Sequence, residues 1–389
     1  MSALDLTRPV GVVLFRDIPE ERRLSMERFA NGLEATFSDS NQIRVTSRTV
    51  NESYRARRLG LSVPAGYVTR LIHYPLAAAR VRADICHIVD QGYGHVAARL
   101  PHERTVVTCH DLMLLRAEEG GAGFQGRRTS VIRYRWSTSF LRRVSRVVCD
   151  SGSTKDDVMR LCGVREERIR VVAPGVERRF HPVPPSHRKS LRSTIPQARS
   201  HILLHVSTGH LYKNTEQTVR ILQGLLNSGF DVSLVRVGRP LSSEDTTLAR
   251  ELNVADRIVE LGIVSNERLI EVYNAADVLL FPSHYEGFGW PPLEAMACGT
   301  PVVVSSAPSL VEVVGDAGII ESATDTQGNV RAVRAILESV ELRTKLREKG
   351  LARAADYSWE KTASAYEDIY MDVLADLERS GEEVPTCAG

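Results

Sequence analysis

Short apolar runs rich in β-branched residues alternate with helix-period segments along nearly the whole chain, and that alternation admits few folds. Runs at 11–15, 43–46, 85–89, 105–108, 146–149 and 169–172 form a first series. A second series lies at 201–206, 232–237, 257–261, 278–281 and 301–304. Strands this continuously apolar need both faces covered, which predicts parallel sheets layered with helices. Helical stretches fall between them, among them 21–36, where Leu24, Phe29 and Leu33 recur at helical intervals, then 267–274 and 326–339. At 389 residues the chain exceeds what one core usually holds, so two domains are expected. The boundaries read as 1–185, a linker at 186–200 within a basic stretch carrying Pro182, Pro184, Pro185 and Pro196, and 201–358. A closing amphipathic helix at 359–379 and a loose tail at 380–389 complete the expectation, the helix packing back towards the first domain.

Composition narrows the function classes. Hydrophobic residues at 43% and charged residues at 25% fit a globular protein, and no segment approaches the roughly 20 apolar residues a bilayer requires. Residues 1–9 lack the pattern of a signal peptide, and the six cysteines form no C-x-x-C pair, so a reducing cytoplasm is expected. No short repeat is present, which excludes solenoids and propellers. Residues 1–200 hold 34 Lys+Arg against 20 Asp+Glu, whereas 201–389 hold 16 against 28. The first half is therefore expected to meet something anionic, the alternative being solvated surface charge with attraction between the two halves. Its basic residues are dispersed without interleaved aromatics, which argues against nucleic acid.

The most informative segment is FPSHYEGFGWPPLEAMACGTP at 281–301. A buried strand runs into a glycine-punctuated loop, and Pro291 and Pro292 open a helix where a missing N–H goes unnoticed. Gly299 closes that helix. Gly287 and Gly289 let the backbone approach a ligand, and the helix start offers unpaired N–H groups to a diphosphate or to hydroxyls. Glu286 sits in the loop and Glu294 in what reads as the helix's first turn, where a carboxylate alone would do no more than complement the dipole. Loop glycines, paired prolines and two carboxylates together point to a binding site.

At these residues the sequence resembles glycosyltransferase family 4, whose motif E-G-F-G-x-P-x-x-E-A-M-A-x-G-x-P-V-V is matched at every defined position of 286–303. Ser309-Leu-Val-Glu312, Gly315-Asp-Ala-Gly318, 269–273 with Ala276 and Asp277, and Ser358-Trp359-Glu360 carry the likeness further. The resemblance implies a GT-B fold, two facing Rossmann-like parallel-sheet domains. It implies that Glu294 holds the donor's ribose, that Glu286 and the amides near Phe288 and Gly289 hold the transferred sugar, and that Gly262, Ile263 and Val264 meet the base. The loop STGHLYKN at 207–214 resembles the family's diphosphate loop, with Lys213 in the lysine position and the customary arginine absent; His210 and Arg239 are open as its replacement. Thr105-Val-Val-Thr-Cys-His110-Asp111-Leu112 resembles the strand end that sets a histidine, here His110, over the donor sugar. The glycine turn common after the first strand is replaced by Arg16-Asp17-Ile18-Pro19-Glu20.

The family likeness thus implies retaining transfer of a hexose such as mannose, glucose or N-acetylglucosamine from a nucleotide-diphosphate sugar to a saccharide or lipid-linked acceptor. With no D-x-D motif in a strand-end context, neither a metal nor a cofactor is expected. An anionic inner-membrane surface is a further expected partner of the first half, through Arg55, Arg57, Arg58, Arg70, Arg142, Arg143 and Arg146. Alternatives are a silent sugar-nucleotide binder and a GT-B epimerase or phosphorylase. A nicotinamide-dependent dehydrogenase is a weaker one, resting on Gly92-Tyr-Gly94-His-Val-Ala97 and Asp111.

Overall fold

The computed structural model describes residues 8–21, 23–38, 40–50, 65–116 and 128–381, with 65 and 128 as backbone only. The described residues divide into two compact units. The first holds those up to Leu115, those of 128–175 and those from Trp359 onward; the second holds Arg116 and Val176–Ser358.

Each unit is built on a six-stranded sheet in which every pairing is parallel. In the first unit the strands are β1 (Val10–Phe15), β2 (Ile43–Arg48), β3 (Ile85–Ile88), β4 (Thr105–Cys109), β5 (Arg146–Cys149) and β6 (Ile169–Val171), in the order β2-β1-β3-β4-β5-β6. The second unit has β7 (His201–Ser207), β8 (Val232–Gly238), β9 (Ile258–Glu260), β10 (Val278–Phe281), β11 (Val302–Ser305) and β12 (Ile319–Glu321). Their order is β12-β11-β10-β7-β8-β9. Strand order therefore reverses between β1 and β3 in one sheet and between β7 and β10 in the other. Such reversals open a crevice beyond the carboxyl ends of the strands.

The strands read from the sequence match within two residues, because buried apolar runs flanked by turn signals leave little freedom. β12 was not foreseen; its three residues are only half-buried and carry no period. The helix expected from residue 21 begins at Leu24 instead, after a 3-10 turn at Pro19–Glu21. Glu21 is drawn to Arg70 at 2.9 Å, which takes it off the helix. The proline-rich stretch contains the helix Pro185–Ser193, whose Arg188 and Arg192 reach Asp277 at 2.7 and 2.8 Å.

Trp359–Ser380 is the last helix and joins the first unit, burying Trp359, Tyr366 and Tyr370 beside Phe29 and Phe37 of the helix Leu24–Phe37. Aromatic pairs at these separations add about 0.5–1.5 kcal/mol each beyond area burial. No helix among the described residues is long and apolar enough to cross a membrane.

Where β7 and β8 end, Gly238 has φ 119°, and a Cβ there would lie 1.9 Å from the Ser207 carbonyl oxygen. Gly238→Ala is expected to cost about 2–4 kcal/mol by combining backbone strain with overpacking. A urea titration should show the second unit's transition moved to lower denaturant; an unmoved midpoint would contradict the steric account.

Candidate functional site

In the second unit the predicted residues gather at the carboxyl ends of neighbouring strands. β7 leads into a short turn, Leu211–Lys213, that ends in the left-handed residue Asn214. The Asn214 amide donates to the carbonyls of Pro282 and Ala323 at 3.0 and 2.8 Å. His284 N–H donates to Tyr212 O at 2.8 Å. These bonds clamp the loop after β7 to the loop after β10, and the clamp brings Lys213 and Glu286 together. Lys213 Nζ donates to both Glu286 carboxylate oxygens at 2.6 and 2.8 Å, with each side chain about 10% exposed. The ammonium also lies 5.1 Å from the centre of the Phe281 ring. Removing either partner would leave the other charge poorly solvated, which is why such pairs are costly to break.

Ser309 Oγ donates to Glu286 O at 2.7 Å and fixes the start of the glycine turn. Gly289 has φ 125° and precedes the helix Trp290–Ala297, with Pro291 and Pro292 in its first turn. Glu294 lies one turn deeper than the sequence reading placed it. It is 2% exposed, and Tyr273 Oη donates to its Oε2 at 2.7 Å. A carboxylate buried this far does not serve as a solvent-side dipole partner.

Two further features flank the pair. Gly262, at φ 69°, follows β9 and accepts the Gly238 N–H at 2.9 Å; next to it Ile263 is 76% exposed and Val264 half-buried. Arg239 follows β8, its aliphatic stem 3.0–3.7 Å from where a Gly209 Cβ would stand. Among the described residues this exposed guanidinium has no carboxylate partner. His210 instead stacks on Tyr212, centroids 5.5 Å apart.

In the first unit, His110 follows β4 and is 6% exposed. Its Nδ1 lies 2.7 Å from Asp150 Oδ2 and its Nε2 2.8 Å from Val89 O. Both partners are acceptors, so both ring nitrogens donate and the ring is an imidazolium. Burial opposes that charge, but the Asp150 carboxylate and the hydrogen bonds to Asp150 and Val89 outweigh it, so the pKa is raised. Phe29 meets the ring edge-on at 4.8 Å.

Sequence reasoning did not single out Asp150 as a site residue, although it directly follows the predicted strand 146–149. It also missed what Asp17 does. This carboxylate stands just beyond the end of β1, paired at 3.5 Å with Arg23, while its Oδ1 is buried with no partner among the described residues. Burial, partly offset by Arg23, pushes its pKa up to about 6. The dehydrogenase fingerprint dissolves in the fold. Gly92 and Gly94 lie in the 3-10 segment Gln91–Arg99, and a Cβ on Gly94 would meet the Ser137 carbonyl at 2.6 Å. Gly94 thus makes room for the chain, whereas a Cβ on Gly92 would meet the Arg23, Asp90 and Arg70 side chains at 3.1–3.2 Å. Of the arginines proposed for a basic surface, Arg55, Arg57 and Arg58 lie outside the described residues. Arg146 pairs with Asp376 and is 13% exposed, so it is not free for a surface role.

Two six-stranded parallel-sheet units of this kind are the GT-B architecture. The family profile described as "Glycosyl transferases group 1" matches residues 188–353, and that described as "Glycosyltransferase Family 4" matches 27–180. The chain belongs to glycosyltransferase family 4. It is 27% identical over 378 residues to the D-inositol 3-phosphate glycosyltransferase of Acidothermus cellulolyticus, covering 93% of this chain and 80% of that protein. To the enzyme of the same name from Xylanimonas cellulosilytica it is 32% identical over 236 residues, 58% of this chain and 56% of that one. The solved structure of HepE from Anabaena in complex with UDP and glucose superposes with a TM-score of 0.74 at 18% identity, covering 93% of this chain and all of that one.

The His110–Asp150 pair carries a pH signature. A group whose folded pKa is raised adds stability that is fully present below its unfolded value near 6.5 and is lost as pH climbs through the folded value. Asp150→Asn should therefore lose on the order of 1–3 kcal/mol at pH 5.5, the deficit shrinking at alkaline pH. Unfolding titrations of both proteins at pH 5.5, 7 and 8.5 test this; a pH-independent deficit would refute the charged pair.

Proposed function

We propose that the protein is a retaining, metal-independent hexosyltransferase that carries a sugar from a nucleoside diphosphate to a saccharide or lipid-linked acceptor, in polysaccharide or glycolipid synthesis. One observation carries this reading: the Lys213–Glu286 pair beside the Gly287–Gly289 turn, at the strand-order reversal between β7 and β10. The HepE complex with UDP and glucose supports a sugar-nucleotide donor.

In the proposed arrangement the diphosphate takes the Lys213 ammonium from Glu286 and gains a second cation in Arg239, which fills the place of the missing arginine. Glu294 accepts from the ribose hydroxyls, Gly262, Ile263 and Val264 face the base, and Glu286 with the amides of Phe288 and Gly289 accepts and donates to the sugar. As the anomeric C–O bond to phosphate breaks, the acceptor oxygen bonds to that carbon from the same face. Its proton passes to the departing phosphate oxygen. Lys213 and Arg239 stabilise the charge that develops there, and each preorganised group of this kind contributes about 3–4 kcal/mol. His110 contributes near the reacting carbon, where a sugar hydroxyl would replace the Val89 carbonyl on Nε2.

Thermal denaturation against a panel of nucleoside diphosphate sugars should single out one donor by mass-action stabilisation. With it, Glu294→Ala should chiefly raise KM. Glu286→Gln and His110→Asn should chiefly lower kcat, by on the order of a hundredfold, and Arg239→Gln should weaken binding of the bare diphosphate. Wild-type turnover in all four variants would overturn the assignment.

An anionic inner-membrane surface is the reading we propose for the remaining basic residues. Arg142 and Arg143 are exposed, and the first unit also exposes Ile72, Leu76, Ile132 and Trp136. Sedimentation with phosphatidylglycerol vesicles, but not with phosphatidylcholine vesicles, is the expected result.

A further inference from the structure

Lys213 and Glu286 lie beyond the carboxyl ends of the second unit's strands. At the opposite, amino end of the same sheet, where Asp277 leads into β10 and Pro301 into β11, lies a small pocket. Its volume is about 110 Å³, well below the roughly 300–1,000 Å³ of sites for drug-sized ligands. It is too small for a nucleotide and large enough for a single oxyanion with part of its hydration.

Three guanidinium groups line the pocket, those of Arg188, Arg343 and Arg347, against one carboxylate, Asp277. That carboxylate is fully engaged. Its Oδ1 accepts from Arg188 at 2.7 Å, and its Oδ2 accepts from Arg192 and from the Ile202 N–H, both at 2.8 Å. Two cations therefore already offset its single charge.

Arg343 and Arg347 are placed differently. They stand one turn apart on the helix Val340–Ala354, a spacing at which like charges repel. Both are half-buried, and among the described residues neither pairs with a carboxylate. Main-chain carbonyls hold them instead. Arg343 Nη1 donates to Ile336 O at 3.2 Å and to Leu337 O at 3.4 Å, and Arg347 Nη1 donates to Gly299 O at 3.1 Å. A Cβ on Gly299 would lie 2.7 Å from Arg347 Nη1, so the glycine, at φ 74°, leaves room for that guanidinium. On both arginines Nε and Nη2 have no hydrogen-bond partner among the described residues. Residues 201–389 carry 28 Asp+Glu against 16 Lys+Arg, so carboxylates are plentiful in this half, yet neither cation has one. Anchored guanidinium groups that keep spare donors match the oxygens of a phosphate.

We infer that this pocket binds a small oxyanion of the phosphate class through Arg343 and Arg347, with Arg188 adding a third positive charge. The site is separate from the donor loops, and its binding does not depend on the glycosyl-transfer reading. Free phosphate and a phosphomonoester share this chemistry.

The test titrates the full chain with inorganic phosphate by calorimetry, against sodium chloride at matched ionic strength. Wild type should bind phosphate and not respond to chloride. Arg343→Gln and Arg347→Gln should each weaken that binding by on the order of tenfold. Arg239→Gln, which removes the cation proposed for the donor diphosphate, should retain it. Arg343 bonds only to carbonyls at the end of a neighbouring helix, so Arg343→Gln keeps the fold even if Arg347→Gln, beside Gly299, does not; a urea midpoint for each variant checks this. Glucose 6-phosphate titrated in parallel separates the sources: binding that depends on Arg343 assigns the site to a phosphomonoester, and binding of inorganic phosphate alone assigns it to the free ion. Wild type that responds to phosphate no more than to chloride overturns the inference. So does folded Arg343→Gln that binds phosphate unchanged, or loss of the whole response in Arg239→Gln.

Discussion

A parallel sheet covered on both faces has almost nowhere to keep a polar group except at the ends of its strands, and both units of this protein are organised by that constraint. Along β7, β8, β10 and β11 nearly every residue is buried, so uncompensated charge there would be severely penalised. Lys213, Arg239, Gly262 and Glu286 instead follow β7, β8, β9 and β10, all beyond the carboxyl ends. In the first unit Asp17, Gln91, His110 and Asp150 occupy the matching places after β1, β3, β4 and β5. Where each sheet reverses its strand order, adjacent loops diverge, and the space between them is available to a ligand.

Charge management follows from this placement. Lys213 with Glu286, and His110 with Asp150, satisfy each other at short range where water is largely excluded. A ligand therefore does not meet bare charges; it exchanges one set of partners for another, and the energetic difference between the two is what binding can use. Against that background two arginines with no carboxylate partner among the described residues stand out. Arg239 rests on Gly209 of the lysine loop, and Arg133 rests on Tyr67 in the first unit, both held by packing and neither offset by a carboxylate among the described residues. Oriented cations with no carboxylate partner among the described residues are suited to oxyanions.

The strands were legible because a buried run has a length, a composition and flanking turns that leave few alternatives. The 281–301 segment was legible because glycine, proline and glutamate each act there through a local property: positive φ at Gly289, a tolerated missing N–H at Pro291, and a carboxylate on each side of the turn. The deep burial of Glu294 was not legible, since its cover is the Tyr273 hydroxyl twenty-one residues upstream. Nor did the sequence separate Arg146, tied to Asp376, from Arg142 and Arg143 beside it. A net charge of +14 over 1–200 identifies a basic half but says nothing of which arginines are spent on internal pairs.

What the chain determined by itself was the alternation of elements, the two parallel sheets, and the loop in which glycines, prolines and carboxylates are concentrated, since each depends on interactions within a few turns of sequence. Tertiary structure alone decided the pairing of Lys213 with Glu286 across 73 positions and of His110 with Asp150 across 40, and the meeting of Tyr67 with Arg133. Those contacts depend on strand order, and strand order is settled by how whole sheets bury their faces, a quantity no local pattern contains.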